Sequence, residues 1–346
     1  MKDDIFTAIK GFAMGAANVI PGVSGGTIAF ITGIYERLID ALKAFDPAAV
    51  KLLLSFRLRE FCEKTDLRFL IALGVGVLVS VFTLARVFDW AFKKGHETVV
   101  FAFFFGLIAA SLPAVGKLVK KWTPGAILAA VIGLAVAVAM AFLPPATESA
   151  NPLYLIICGV VAMSSMIIPG LSGSFVLLLM GNYQLIMIDS VNALSDFDLV
   201  PALKVLIPVG IGAVAGLVVL ARVLSWLFHT HHDVAVSLIA GFIAGSLLII
   251  WPWKDEVPAT DEAGLILVKT EDRALVGREG SLAEVTAATK GTEEEVVIRG
   301  YENWHLPDFT AGATWLALGL MLVGVGLIVL MERMADGVGE SAPETE

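Results

Sequence analysis

The sequence predicts an all-α polytopic membrane protein arranged as an inverted-topology repeat, with a small extracytoplasmic β-rich insert. Three observations predict it. The 346 residues are 57% hydrophobic and 16% charged, where soluble domains carry roughly 25% charged residues. Apolar runs of about 20 residues, long enough to cross ~30 Å of hydrocarbon at 1.5 Å per residue, recur along the chain. One stretch of 25 residues occurs twice, each copy broken in its middle by Pro-Gly. This composition excludes an ordinary soluble enzyme, and the net charge of -9 argues against a nucleic-acid partner.

In chain order, residues 5–42 form a first broken hairpin, followed by spans at 67–92, 98–116 and 124–143. A second broken hairpin, 153–188, precedes spans at 203–228, 234–253 and 310–331. Proline removes a backbone donor and clashes with the preceding turn, so each hairpin stretch divides into two half-length helices. The N-terminal residues carry acids beside the first lysine and no small-residue cleavage site, so they belong to the fold and are not a signal peptide.

The internal repeat decides the architecture. GFAMGAANVIPGVSGGTIAFITGIY (11–35) aligns without gaps on GVVAMSSMIIPGLSGSFVLLLMGNY (159–183), with 8 of 25 positions identical, at the break and at the closing Gly-x-Tyr. Leu84-Ala85-Arg86-Val87 with Trp90 matches Leu220-Ala221-Arg222-Val223 with Trp226, and 106–112 resembles 241–247. Each half is therefore a re-entrant broken-helix hairpin plus three transmembrane helices. The first repeat covers 1–147 and the second 148–253 plus 309–334.

Three crossings per half is an odd number, so the second half should sit upside down relative to the first. Loop charges agree. The connector 36–68 holds seven Lys/Arg and its repeat partner, 184–202, holds none, which places them on opposite sides. Lys117, Lys120 and Lys121 fall inside with the first connector, the Lys/Arg-free loop 144–152 outside, and both termini are cytoplasmic. Lys93 and Lys94 run against this scheme, two lysines against ten basic residues. This is a multi-pass protein of the cytoplasmic membrane.

Residues 254–308, an insert of the second half, hold 19 of the 57 charges and alternate in LILVKT and EEVVIRG, and are expected to form a small extracytoplasmic β-rich appendage. Residues 335–346 form an acidic, disordered tail. Cys62 and Cys158 have neither disulfide nor metal-site spacing, and no cofactor or metal is implied.

The chemistry concentrates at the two breaks. Non-helical backbone at membrane depth is tolerated where it is buried in protein or lines a wet cavity, so two copies imply a site between them. A half-helix starts just after each Pro-Gly, with free N–H groups and the positive end of its dipole: Ser24, Gly25, Gly26 and Thr27 in one, Ser172, Gly173 and Ser174 in the other. Such an end attracts anions, and the serines can cap the helix or donate to an oxyanion. Inverted repeats with discontinuous helices point to a transporter's central site. The other account of the glycines and serines is tight helix packing.

Arg86 and Arg222 lie within apolar runs, six residues from the ends at 92 and 228. They either snorkel to the interface or guide an anionic headgroup, one near each leaflet. Asn18 can hydrogen-bond a ligand, although its repeat partner is Met166. Glu36, beneath the first hairpin, is either a coupling carboxylate or a solvated helix end. GVSG and GLSG also fit the form used by intramembrane serine proteases, but no histidine lies in a span to serve as base, and a nucleophile is not needed twice. No enzymatic activity is expected. A scaffold acting through the insert would leave the duplicated breaks unexplained.

GAANVIPGVSGGTIAFITGIYERLI with its partner MIIPGLSGSFVLLLMGNY resembles the bacterial and archaeal polyprenyl-phosphate transporter family, long listed as a domain of unknown function. The resemblance spans both halves, residues 5–252 and the last span, and leaves the insert out. It implies movement of undecaprenyl phosphate, the carrier lipid of cell-wall synthesis, from the outer to the inner leaflet by alternating access. The phosphate would be held at Ser24 to Thr27 and Ser172 to Ser174, with Arg86 and Arg222 at the two approaches. An ion-coupled transporter of a small soluble anion, carboxylate or phosphate, would use the same breaks.

Overall fold

A computed structural model describes residues 2–19, 23–93, 96–143, 146–195, 197–261, 263–270, 275–289, 292 and 294–339. The first half runs α1 (Lys2–Val19), α2 (Gly25–Ile31), α3 (Tyr35–Lys43), α4 (Pro47–Leu54), α5 (Leu58–Lys64), α6 (Leu67–Lys93), α7 (Glu97–Leu118) and α8 (Pro124–Ala141). The second runs α9 (Pro152–Ile167), α10 (Gly173–Leu179), a π-helical turn (Gln184–Asp189), α11 (Ser190–Ser195), α12 (Leu199–Thr230) and α13 (His232–Ile249). Beyond the insert, which contains α14 (Leu282–Thr289), the last helix is α15 (Gly312–Gly339). Among the described residues, α6, α7, α8, α12, α13 and α15 are long and apolar enough to cross a membrane, the six spans expected.

The hairpin arms are shorter than the sequence suggests. The first does not continue to residue 42, because α2 stops at Ile31 and α3 is a separate helix. Gly33 takes a left-handed φ of 70°, while Ile34 N bonds Ala29 O and Gly33 N bonds Phe30 O. This is a Schellman stop. The second hairpin ends the same way: Gly181 has φ 71°, Asn182 N bonds Leu177 O and Gly181 N bonds Leu178 O. The glycine identity in the repeated Gly-x-Tyr therefore has a backbone cause, since a left-handed residue is cheap only for glycine.

Helix packing repeats as well. α1 lies along α6, and α9 along α12. The third span of each half packs on the second span of the other, α8 on α13 and α15 on α7. Glycines set these contacts. A Cβ at Gly76 would stand 2.0 Å from Ala8 O, and one at Gly212 2.0 Å from Ile156 O. Across the halves the same holds for Gly106 against Met321 O and Gly241 against Ala130 O, both 2.0 Å. Small residues that let backbones touch are the usual basis of helix association in membranes, where burial from water drives nothing.

In the insert, β1 (Asp255–Pro258) pairs antiparallel with β5 (Ile298–Glu302). β2 (Ile266–Lys269) lies antiparallel between β3 (Leu275–Arg278) and β4 (Glu295–Val296). Val285 of α14 packs on Ile266 and Val268. Trp304 Nε1 donates to Leu248 O at 2.8 Å, fastening this unit to the end of α13. The expected disordered tail is helical over its first part, because α15 continues to Gly339. Extending a formed helix costs no new nucleus. Residues 340–346 lie outside the described residues.

Candidate functional site at the two breaks

α2 has seven residues, too few to hold a helix alone in water or to satisfy its own ends. α1 supplies what is missing at both. Gly25 N donates to Asn18 Oδ1 at 2.8 Å, and Lys10 Nζ donates to Thr32 O at 2.7 Å. An acceptor at the N-terminal end and a cation at the C-terminal end both complement the helix dipole. The two bonds also fix α2 antiparallel to α1.

α2 also touches the second break. α9 ends at Ile167, and its last carbonyls have no partner within the helix. Donors from the first half reach them: Tyr35 Oη to Ile167 O at 3.1 Å, and Ser24 Oγ to Ile168 O at 3.5 Å, the weaker bond. In the other direction Gly170 N donates to Thr27 Oγ1 at 2.7 Å, a buried bond. Gly170 has φ 87° and sits where a Cβ would lie 2.6 Å from the backbone of Phe242. At Gly26 a Cβ would stand 2.8 Å from Ile167 O, so this position cannot carry the serine found at its repeat mate, Ser174.

The second half is built differently. Ser172 Oγ and Ser174 Oγ lie 2.9 Å apart, both half-buried, ahead of and within the first turn of α10. The far end of α10 is held by Tyr154 Oη, which donates to Met180 O at 2.8 Å. Met180 is the repeat mate of Thr32, so a donor from the first arm meets the same carbonyl in each half. Asn182, fully buried, bonds Ser149 through both its amide atoms and pins the loop before α9.

The structure thus brings Ser24, Gly26 and Thr27 against the second break, with Ser172, Gly173 and Ser174 directly beyond it in sequence. Asn18 commits its amide oxygen to capping α2 through Gly25 N. Neither Ser24 nor Ser172 caps its own helix: the first hydroxyl turns to the carbonyl of Ile168, which also accepts from Leu171 N, and the second to Ser174. Arg222 is exposed on α12. Arg86 lies in α6, and its side chain is outside the described residues.

Glu36 stands in the first turn of α3 with His232 Nε2 3.5 Å from its carboxylate. One turn on, Asp40 Oδ1 accepts from Ser225 Oγ at 2.8 Å, and Ser225 Oγ accepts from Lys43 Nζ at 2.9 Å. His229 Nε2 is 3.9 Å from Asp40. α3 is therefore fastened to the α12–α13 corner of the other half. Sequence reasoning passed over Lys10, Tyr35, Lys43, Tyr154 and Ser225. A signal existed for Lys10, the one charged residue between positions 5 and 35.

Six apolar helices, with the two broken hairpins in contact, define a multi-pass membrane protein. Sequence relatives narrow that class. The model of the VCA0040-like, undecaprenyl phosphate translocase-like family matches residues 14–265. A polyprenyl-phosphate transporter of Vibrio cholerae is 36% identical over 332 residues, which cover 95% of this chain and 96% of that protein. A polyprenyl-phosphate transporter of Staphylococcus aureus is 30% identical over 257 residues, 70% of this chain and 85% of that protein. The chain belongs to the undecaprenyl phosphate translocase-like family. No solved structure matches it.

Proposed function

We propose that this protein carries a polyprenyl phosphate, undecaprenyl phosphate in the first instance, from the outer to the inner leaflet of the cytoplasmic membrane by alternating access. It is a transporter, with no chemical step of its own. The observation that carries the reading is the contact between the two breaks, Gly170 N on Thr27 Oγ1 at 2.7 Å, in a chain whose relatives are named for this substrate. Half-helix ends meeting between repeats are where transporters hold anions. A lipid phosphate puts its charge there and leaves its tail in the bilayer.

Separation of these halves would free Ser24, Gly25, Gly26 and Thr27 to join Ser172, Gly173 and Ser174 around the phosphate, with Asn18 as their brace. Arg86 and Arg222 attract the headgroup at opposite leaflets. Inverted topology is supported by the loop charges and by the way the expected sides keep together. Asp233 accepts from Lys120 N and Lys121 N, and Glu36 meets His232, all at the end assigned to the cytoplasm. Ser149, in the loop before α9, bonds the opposite end at Asn182, and the insert packs there too, with the Trp304 ring 5.2 Å from that of Phe142. Glu36 is the candidate for coupling to an ion, through its contact with His232.

The test is leaflet transfer of undecaprenyl phosphate in liposomes holding the purified protein. We expect transfer that is lost in Ser24→Ala with Ser172→Ala and reduced in Arg86→Ala and in Arg222→Ala. Uptake of a soluble anion without lipid transfer would overturn the lipid assignment and keep the site. Unchanged transfer in both arginine variants would remove their role.

A further inference from the structure

α4 and α5 make a short helical hairpin with almost no protein around it. Between positions 46 and 66 only Ala49 and Thr65 are buried. The apolar side chains are the exposed ones: Val50, Leu53, Leu54, Phe56 and Leu58, with Leu54 74% and Phe56 85% exposed. Helices of eight and seven residues are far below the length that is stable by itself. Such helices persist when an apolar face is covered, and nothing among the described residues covers this one.

We propose that the α4–α5 hairpin is a monotopic anchor that lies in the headgroup-to-acyl boundary of the bilayer, with the Leu53–Leu58 tip inserted. Two observations choose lipid over protein. The hairpin continues the lipid-facing surface: the span of α6 starts at Leu67, directly after this connector, and its own exposed ridge runs Ile71, Val75, Leu78, Phe82. Cations border the apolar tip, Lys51 before it and Arg59 after it, and Arg57 within it is long enough to snorkel to the same anionic headgroups. The Arg57–Glu60 and Arg59–Glu63 pairs are exposed and weak, so headgroup phosphates can compete for both guanidinium groups.

The tip is held out by its backbone. Phe56 has φ 55°, a left-handed conformation that a bulky residue rarely adopts. The base is stapled: Arg37 binds Asp66 through two bonds of 2.6 and 3.1 Å and stacks 4.3 Å over the Phe69 ring. Lys64 closes on Asp46 at 2.7 Å. A grip on the bilayer is therefore passed to α3, whose first residue, Tyr35, binds the second break.

The experiment uses the full chain in vesicles of phosphatidylethanolamine and phosphatidylglycerol, with Cys62→Ser to remove the exposed thiol and Cys158 left buried. Spin labels are attached at Leu54→Cys, Phe56→Cys or Glu63→Cys, and oxygen and a water-soluble nickel chelate compete to relax them. Labels at 54 and 56 should favour oxygen several-fold over nickel, and the label at 63 should favour nickel. Equal nickel access at all three positions would overturn the anchor, as would labels at 54 and 56 that are immobile and closed to both reagents, the mark of a second copy or a protein partner. Phe56→Gly separates anchor from turn: it suits the left-handed backbone, so a stability gain with unchanged labelling at 54 would show that the side chain only strains the turn and grips no lipid, which overturns its part in the anchor. The anchor predicts that the label at 54 moves towards water.

Discussion

Thr27 and Gly170 stand 143 residues apart in sequence and are joined by a 2.7 Å hydrogen bond buried between the two hairpins. The bond carries two requirements at once. Gly170 must be glycine for its left-handed φ and for its approach to Phe242, and its N–H, buried away from water, must find an acceptor.

Thr27→Val keeps the shape and removes that acceptor. A buried donor left unpaired costs about 1–3 kcal/mol, so the variant should melt lower in detergent and transfer lipid phosphate more slowly. Thr27→Ser keeps the oxygen and should restore most of both. Equal melting of Val and Ser variants would mean that the bond does not hold the breaks together.

Lys10→Met should release the last carbonyl of α2 and loosen that helix while the six spans stay folded. The expected reading is near-normal helix content by circular dichroism with clearly reduced transfer. Tyr154→Phe is the counterpart in the other half, removing the 2.8 Å bond to Met180 O. If both variants transport at the wild-type rate, anchoring the far ends of α2 and α10 is irrelevant to the cycle.

Gly241→Ala places a methyl group 2.0 Å from the Ala130 carbonyl oxygen, and Gly106→Ala does the same at Met321. Each should force α8 from α13 or α15 from α7 and cut the yield of monodisperse protein on size exclusion. Gly319→Ala, where a Cβ meets nothing within 4 Å, should be neutral or slightly stabilising.

Acid should loosen the α4–α5 connector. The Lys64 ammonium beside Asp46, and then the Ala49 N–H, hold that carboxyl below the usual carboxylate range. A lowered folded value means that the contribution is complete above the unfolded value, about 3.9, and is lost as pH falls through the folded one. A spin label at Ser55→Cys, in the Cys62→Ser chain, should therefore gain mobility only below about pH 4. Asp46→Asn should show the looser spectrum already at pH 7.

The spans were legible because a bilayer demands long apolar runs, and the breaks because the Pro-Gly occurs twice. What escaped was whatever the two halves do not share. Asn18 has Met166 as its mate and Thr27 has Phe175, so no repeat logic exposes a cap in one and a cross-hairpin acceptor in the other. The end of α2 at Ile31 was hidden for another reason: FITGIYERLI stays amphipathic through the stop, and the Schellman turn at Gly33 depends on one backbone angle. Tyr35 and Ser225 were invisible because their partners, Ile167 and Asp40, come from the opposite half.

The exchange of third spans has a consequence for biosynthesis. α8 packs on α13, and α7 waits for α15, which follows it only after α12, α13 and the insert. When the first half enters the membrane, its glycine-lined faces have no match and must be shielded by lipid or an insertase until the second half arrives. The halves made as separate chains should therefore find each other in the membrane through these two contacts.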